Sequence, residues 1–269
     1  MNFERFQNII EYSKRNQEEI TKNVRDLYSQ MDMDYDRDLL NIMLIIRPLF
    51  LKKQYVVLEI PFKDKEIGAI CYKSDSFGYT FLNSSLPKVN VNFALGHEIY
   101  HVFYQCVPFK HKVELYLNEH YFEHEDELSA NLFAGILLMP FPSFTSMFHK
   151  FQKEQDSEDS EITIIAKLMS YFEVPYMAVV IRCYELGLLP DGEILKKMME
   201  FTNDDIEKEF TRLWLDSEIL KPTKRDDYAR LEQLVMEIGK KCEEDHILND
   251  KVVIKVIENI RRIYDEIRG

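Results

Sequence analysis

The sequence predicts an α+β fold. A small antiparallel or mixed sheet should carry two chemistry-bearing helices, followed by an all-helical C-terminal region. Three observations support this. Three short strand-like runs lie between Tyr55 and Asn83. The stretch His97-Glu98-Ile99-Tyr100-His101 sits on an amphipathic helical pattern. From Glu161 onward, apolar residues recur only at helical spacing. The chain has 269 residues, 46% of them apolar and 13% aromatic, enough to fill a core in one large or two small domains. The pattern divides into residues 1–150, which hold the sheet and the candidate site, and residues 161–269, which are helical.

Residues 3–30 read as a polar amphipathic helix, and Asp36 to Leu51 as a second helix that Pro48 bends or ends. Tyr55–Pro61 and Ile67–Tyr72 are strand-like, split by the turn-like Lys63-Asp64-Lys65-Glu66, and Tyr79–Asn83 is a third strand. Pro87-Lys88-Val89-Asn90 is a stop-and-cap signal, with Asn90 or Asn92 able to cap a helix running to about Cys106. Leu95, Ile99, Val102 and Cys106 form an apolar stripe on that helix. Ala94, His97 and His101 occupy another face. The segment from Val107 to Asp126 is too long for an ordinary connector and reads as a functional loop.

A further helix begins near Glu127 and ends near Pro140, and Lys153–Ser160 is a charged linker. Ile164–Phe172 and Ala178–Gly187, joined at Val174-Pro175, resemble a helix-turn-helix over about 163–189. Its second helix brings only Arg182 as a basic residue, so packing against the first domain suits it better than reading DNA. Leu231, Leu234, Val235, Ile238 and Cys242 form one later stripe. Val253, Val256, Ile257, Ile260, Ile263, Tyr264 and Ile267 form another. The two should pack together or on a partner protein.

The chemistry concentrates at His97–His101, which reads H-E-x-x-H. Residues four apart share a helix face, so the two imidazoles would point at one spot. Zinc takes neutral nitrogen ligands in a tetrahedral set, and a catalytic site leaves one position open for water. Glu98 could reach that water as a base without being a ligand. A third ligand is needed. Glu127, Ala130, Asn131 and Ala134 lie at i, i+3, i+4 and i+7, so Glu127 could complete a His-His-Glu site, with Glu125 as the alternative. Asn131 could accept the far N–H of a ligand histidine and fix its tautomer. In the long loop, Tyr116, His120, Tyr121 and His124 are candidates for stabilising an oxyanion.

Gly96-His97-Glu98-Ile99-Tyr100-His101 follows the strand-like Phe81-Leu82-Asn83. With Glu127-x-x-Ala130-Asn131-x-Phe133-Ala134 and Leu137-Leu138-Met139-Pro140, it resembles the ImmA/IrrE family of metallopeptidases over about residues 40–190. The resemblance implies a zincin-like domain with Zn2+ held by His97, His101 and Glu127. It also implies a cytoplasmic bacterial or mobile-element protein that cleaves or inactivates a helix-turn-helix transcriptional repressor. Some relatives act instead as stress regulators, which leaves a non-proteolytic binding or sensing regulator as the alternative reading.

Composition narrows the partners. A net charge of −13 disfavours direct nucleic-acid binding, which needs a positive field, and suits attraction to a basic protein. No run approaches the roughly 18 apolar residues of a membrane span, and the N-terminus lacks a signal-peptide pattern. Cys71, Cys106, Cys183 and Cys242 are scattered without a C-x-x-C pair, so they read as buried free thiols of a cytoplasmic protein.

Overall fold

Among the described residues, three strands form one mixed sheet in the order β1–β3–β2: β1 (Tyr55–Ile60), β2 (Ala69–Lys73) and β3 (Gly78–Asn83). β3 lies in the middle, parallel to β1 with Tyr55 opposite Gly78, and antiparallel to β2 with Ala69 opposite Leu82. The computed structural model describes residues 3–35, 41–73, 78–105, 125–156, 159–190, 192–247 and 249–269. Gly78 has to be glycine, because a Cβ there would stand 2.0 Å from the Tyr55 ring.

At the end of β3, Asn83 is wholly buried and uses its full hydrogen-bonding capacity. Its Oδ1 accepts from the backbone N–H groups of Phe62 and Ser85, and its Nδ2 donates to the carbonyls of Asp64 and Ile67. One side chain thus ties the β1–β2 turn to the start of the next helix.

Helices surround the sheet. α1 (Phe3–Gln30) buries Phe6, Ile20, Val24, Leu27 and Tyr28 along one stripe. α2 (Ile42–Lys52) keeps Pro48 inside it, so Pro48 does not end the helix. The carbonyl that loses its donor to Pro48 belongs to Leu44, which is 69% exposed and can be hydrated. Leu44 and Leu51 lie on the surface, so this apolar helix is buried on one side only.

α3 (Lys88–Phe103) carries the H-E-x-x-H stretch, and α4 (Glu125–Leu138) runs antiparallel to it, with Gly96 near Ala134 and Gln105 near Asp126. α5 (Phe141–Lys153), α6 (Glu161–Phe172), α7 (Tyr176–Glu185), α8 (Glu193–Glu200) and α9 (Asn203–Arg212) follow, then one 3₁₀ turn at Ser217–Leu220. A single hydrophobic cluster runs through these elements from Phe6 to Ile219.

Two sequence expectations are corrected here. Neither Asn90 nor Asn92 caps α3. The N-cap is Pro87, whose carbonyl accepts from Asn90 and Val91, and the helix starts at Lys88. Asn92 is committed elsewhere and donates from Nδ2 to the Glu173 carbonyl in the α6–α7 turn. Cys242 is also only partly buried, as is Cys71. Cys183 is buried, and that burial pushes its thiol well above the usual range. Cys106 lies outside the described residues.

The α6–α7 pair meets at 109°, with Glu173 in the left-handed region at φ 50°. α7 faces inward. Arg182 is 1% exposed, donates from Nε to the Met139 carbonyl and pairs with Glu185 at 2.9 Å. The one basic residue of this helix therefore holds it onto the end of α4.

α10 (Tyr228–Glu244) and α11 (Asp250–Arg268) form a hairpin, and Tyr264 packs with Ile60 and Phe62 on the outer face of the sheet. The two helices touch each other, with Gly239 against Val253, while Tyr264 and Ile267 of the second stripe turn to the sheet and Ile238, Val256 and Ile263 stay exposed. The strap leading into α10 closes the outer edge of β1. Asp227 N–H donates to the Glu59 carbonyl at 2.8 Å, and the Asp227 carboxylate accepts from Glu59 N–H at 3.0 Å. The Glu59 carboxylate turns to Arg47, 3.0 Å away. β2 is left as the outer strand on the other side among the described residues. Among the described residues, no single helix is long and apolar enough to cross a membrane.

Candidate metal centre

α3 and α4 can approach closely because small residues meet between them. A Cβ on Gly96 would stand 3.2 Å from the Ala134 Cβ and 3.4 Å from the Leu138 side chain. Around this contact, Ile99, Leu95 and Val102 are buried, and the Tyr100 ring lies tilted by 54° to Phe133 of α4 with centroids 5.7 Å apart. Tyr104, just past the end of α3, donates to Asp26 on α1 at 2.8 Å. The helix is thus held by α1 as well as by α4. Its front face meets α4.

On that front face His97 Nε2 and His101 Nε2 lie 2.9 Å apart. From α4, the Glu127 carboxylate reaches both, at 3.1 Å from His97 and 3.5 Å from His101. Ligands about 2.0–2.1 Å from a tetrahedral zinc stand roughly 3.3 Å from one another, and these separations, which involve both oxygens of Glu127, lie near that spacing. Among the described residues, His97, His101 and Glu127 are the group that could hold a metal ion.

The far sides of the rings decide where the lone pairs point. His97 Nδ1 lies 3.0 Å from Asn131 Oδ1, and His101 Nδ1 lies 2.7 Å from Gln105 Oε1. An amide oxygen only accepts, so each Nδ1 carries the proton. Both Nε2 atoms then face each other and a carboxylate, which is repulsive unless a proton or a metal cation lies between them. This donor set fits a metal ion.

Electrostatics agrees. Burial works against a charged His97 imidazole, but the Glu127 hydrogen bond and the charges of Glu98 and Glu127 outweigh it and hold its pKa above the usual histidine value. The pocket favours positive charge. Glu98 is 8% exposed, next in sequence to His97.

Glu125 does not join the group. It lies exposed in the first turn of α4 with Asp126, where the helix dipole favours acids, and its carbonyl accepts from Tyr12. The structure brings Asn131 to His97. The oxyanion candidates Tyr116, His120, Tyr121 and His124 fall outside the described residues. Sequence reasoning missed Gln105, although it follows His101 by four positions and so extends the same helical face.

β2 approaches the site from the side. Gly68, just before it, is close enough that a Cβ would stand 3.5 Å from the Ala94 Cβ. Ala94 precedes His97 by three positions, on the same face of α3.

Residues 52–184 match the Peptidase M78 family model, described as the IrrE N-terminal-like domain. No curated protein matches the chain.

Proposed function

From this chain's membership of the Peptidase M78 family, carried by its IrrE N-terminal-like domain, we propose that it is a zinc-dependent endopeptidase. Its substrate in this reading is a helix-turn-helix transcriptional repressor, whose cleavage relieves repression. The observation that carries the reading is the convergence of two imidazole Nε2 atoms and one carboxylate, with Glu98 buried beside them.

His97, His101 and Glu127 would hold the metal. Zinc bound there supplies the positive charge that polarises a peptide carbonyl and makes water acidic near neutral pH. Glu98 is the base. It takes a proton from the attacking water as oxygen bonds to the carbonyl carbon, and hands it to the amide nitrogen as the C–N bond breaks. Asn131 and Gln105 orient the two rings. β2, the outer strand beside α3, offers backbone groups to an extended substrate segment.

The net charge of −13 supports a basic protein partner over nucleic acid. The burial of Arg182 supports this too, since it removes the one cation of α7 from any DNA-facing surface. We place the protein in the cytoplasm. The test is co-expression with a candidate helix-turn-helix repressor, followed by intact-mass analysis of both proteins. The expected outcome is two repressor fragments whose masses sum to the intact repressor plus one water. An intact repressor, with repression nonetheless relieved, would favour the binding or sensing regulator.

A further inference from the structure

His101 is supported differently from His97. His97 meets the amide of Asn131, on the helix that also provides Glu127. His101 meets the amide of Gln105, and that amide is itself held: Gln105 Nε2 donates to Asp126 Oδ2 at 3.2 Å. A carboxylate accepts and cannot donate, so it captures the NH2 end of Gln105 and leaves only the oxygen for the ring. The ring must then place its proton on Nδ1 and its lone pair on Nε2, the atom that faces His97 and Glu127.

We propose that Gln105 and Asp126 are positioning residues that fix the tautomer and orientation of His101 as a metal ligand, Asp126 acting through Gln105. This rests on the metal reading above and deepens it. The relay also spans the two site helices at their closest ends. Gln105 follows the C-terminus of α3, and Asp126 lies in the first turn of α4 next to Glu127. The same two hydrogen bonds that orient His101 therefore tie its helix to the one carrying the third ligand. Partners of this kind around a ligand histidine are typically worth 10–100-fold in metal affinity.

The test uses the full chain and zinc alone, with two readouts. One is the zinc dissociation constant from competition with a chromophoric chelator. The other is the ring-nitrogen NMR signature of His101 in metal-free protein. Gln105→Met keeps length and bulk but removes both hydrogen bonds. It should weaken zinc binding by about 10–100-fold and release His101 from a single Nδ1–H tautomer, with little change in metal-free melting temperature.

Gln105→Glu should also weaken binding, because it sets two carboxylates against each other. Adding Asp126→Asn to it should restore most of the affinity, since the donor and acceptor then simply exchange places along the relay. A Gln105→Met protein with wild-type zinc affinity and a fixed tautomer would overturn the proposal, as would failure of the double variant to recover. If the wild type itself bound no zinc, the metal reading would fall. Equal tight binding by wild type and Gln105→Met would sink the relay alone.

Discussion

Gly96 and Ala134 meet at the crossing of the two site helices so closely that a Cβ on Gly96 would stand 3.2 Å from the Ala134 methyl. This contact governs how far Glu127 lies from the histidines, 3.1 Å from His97 and 3.5 Å from His101, because it fixes the separation of the two helices that carry them. Gly96→Val should push the helices apart. Overpacking of this kind costs about 1–3 kcal/mol, and zinc affinity should fall with it. Chemical denaturation and zinc titration check the two effects. Wild-type zinc affinity in a destabilised Gly96→Val protein would show that helix separation does not set the ligand distances.

The ligand assignment predicts about one zinc per chain, as for a mononuclear site. His97→Ala, His101→Ala and Glu127→Ala should each lose it, and Glu125→Ala should keep it. Elemental analysis of the purified proteins decides this. Zinc retained by Glu127→Ala and lost by Glu125→Ala would move the third ligand to Glu125.

Glu98→Gln separates binding from chemistry. The amide nearly copies the shape of the carboxylate but cannot take a proton at neutral pH. Zinc content and melting temperature should stay near wild type, while repressor cleavage falls by a factor on the order of 10² or more. A fully active Glu98→Gln protein would remove Glu98 from the role of base.

Arg182 should behave as a residue of the interior. It and Glu185 form a buried pair, and Arg182 also holds the Met139 carbonyl. Arg182→Ala leaves a buried carboxylate unpartnered, a loss that typically amounts to about 3–5 kcal/mol. Denaturant melts measure it. Fluorescence anisotropy with duplex DNA at physiological salt should show no binding by either protein. Tight, salt-sensitive binding by the wild type would contradict the choice of a protein partner.

The elements legible in the sequence were those whose cause is local. An i, i+4 pair of histidines shares a face wherever the helix sits, and alternating Tyr, Val, Leu and Ile with turn residues between them mark short strands. Accordingly β1, β2 and β3 fall within about two residues of the runs read from sequence, and His97 and His101 converge as their spacing requires. Ala130 and Ala134, on the same face as Glu127, are likewise small enough in sequence for a close helix contact.

What the sequence could not contain is the phase and partner of each element. Glu125 and Glu127 differ by about 200° around a helix, so which carboxylate faces the histidines depends on how α4 rolls against α3, and the Gly96–Ala134 contact decides that. Parallel pairing of β1 with β3 joins strands that are not consecutive, and alternation alone is silent on it. Asn92 looked like a cap because caps are local. It was drawn instead to the carbonyl of Glu173, which lies near it only in the folded chain. The strap that seals β1 through Asp227 and Glu59 is of the same kind. The sequence by itself determined that two histidines share a helix face and that an acid from a later helix could join them in a candidate metal site. Tertiary packing decided which acid closes it and that Gln105 and Asp126 stand behind it, because such contacts exist only once distant segments share a surface.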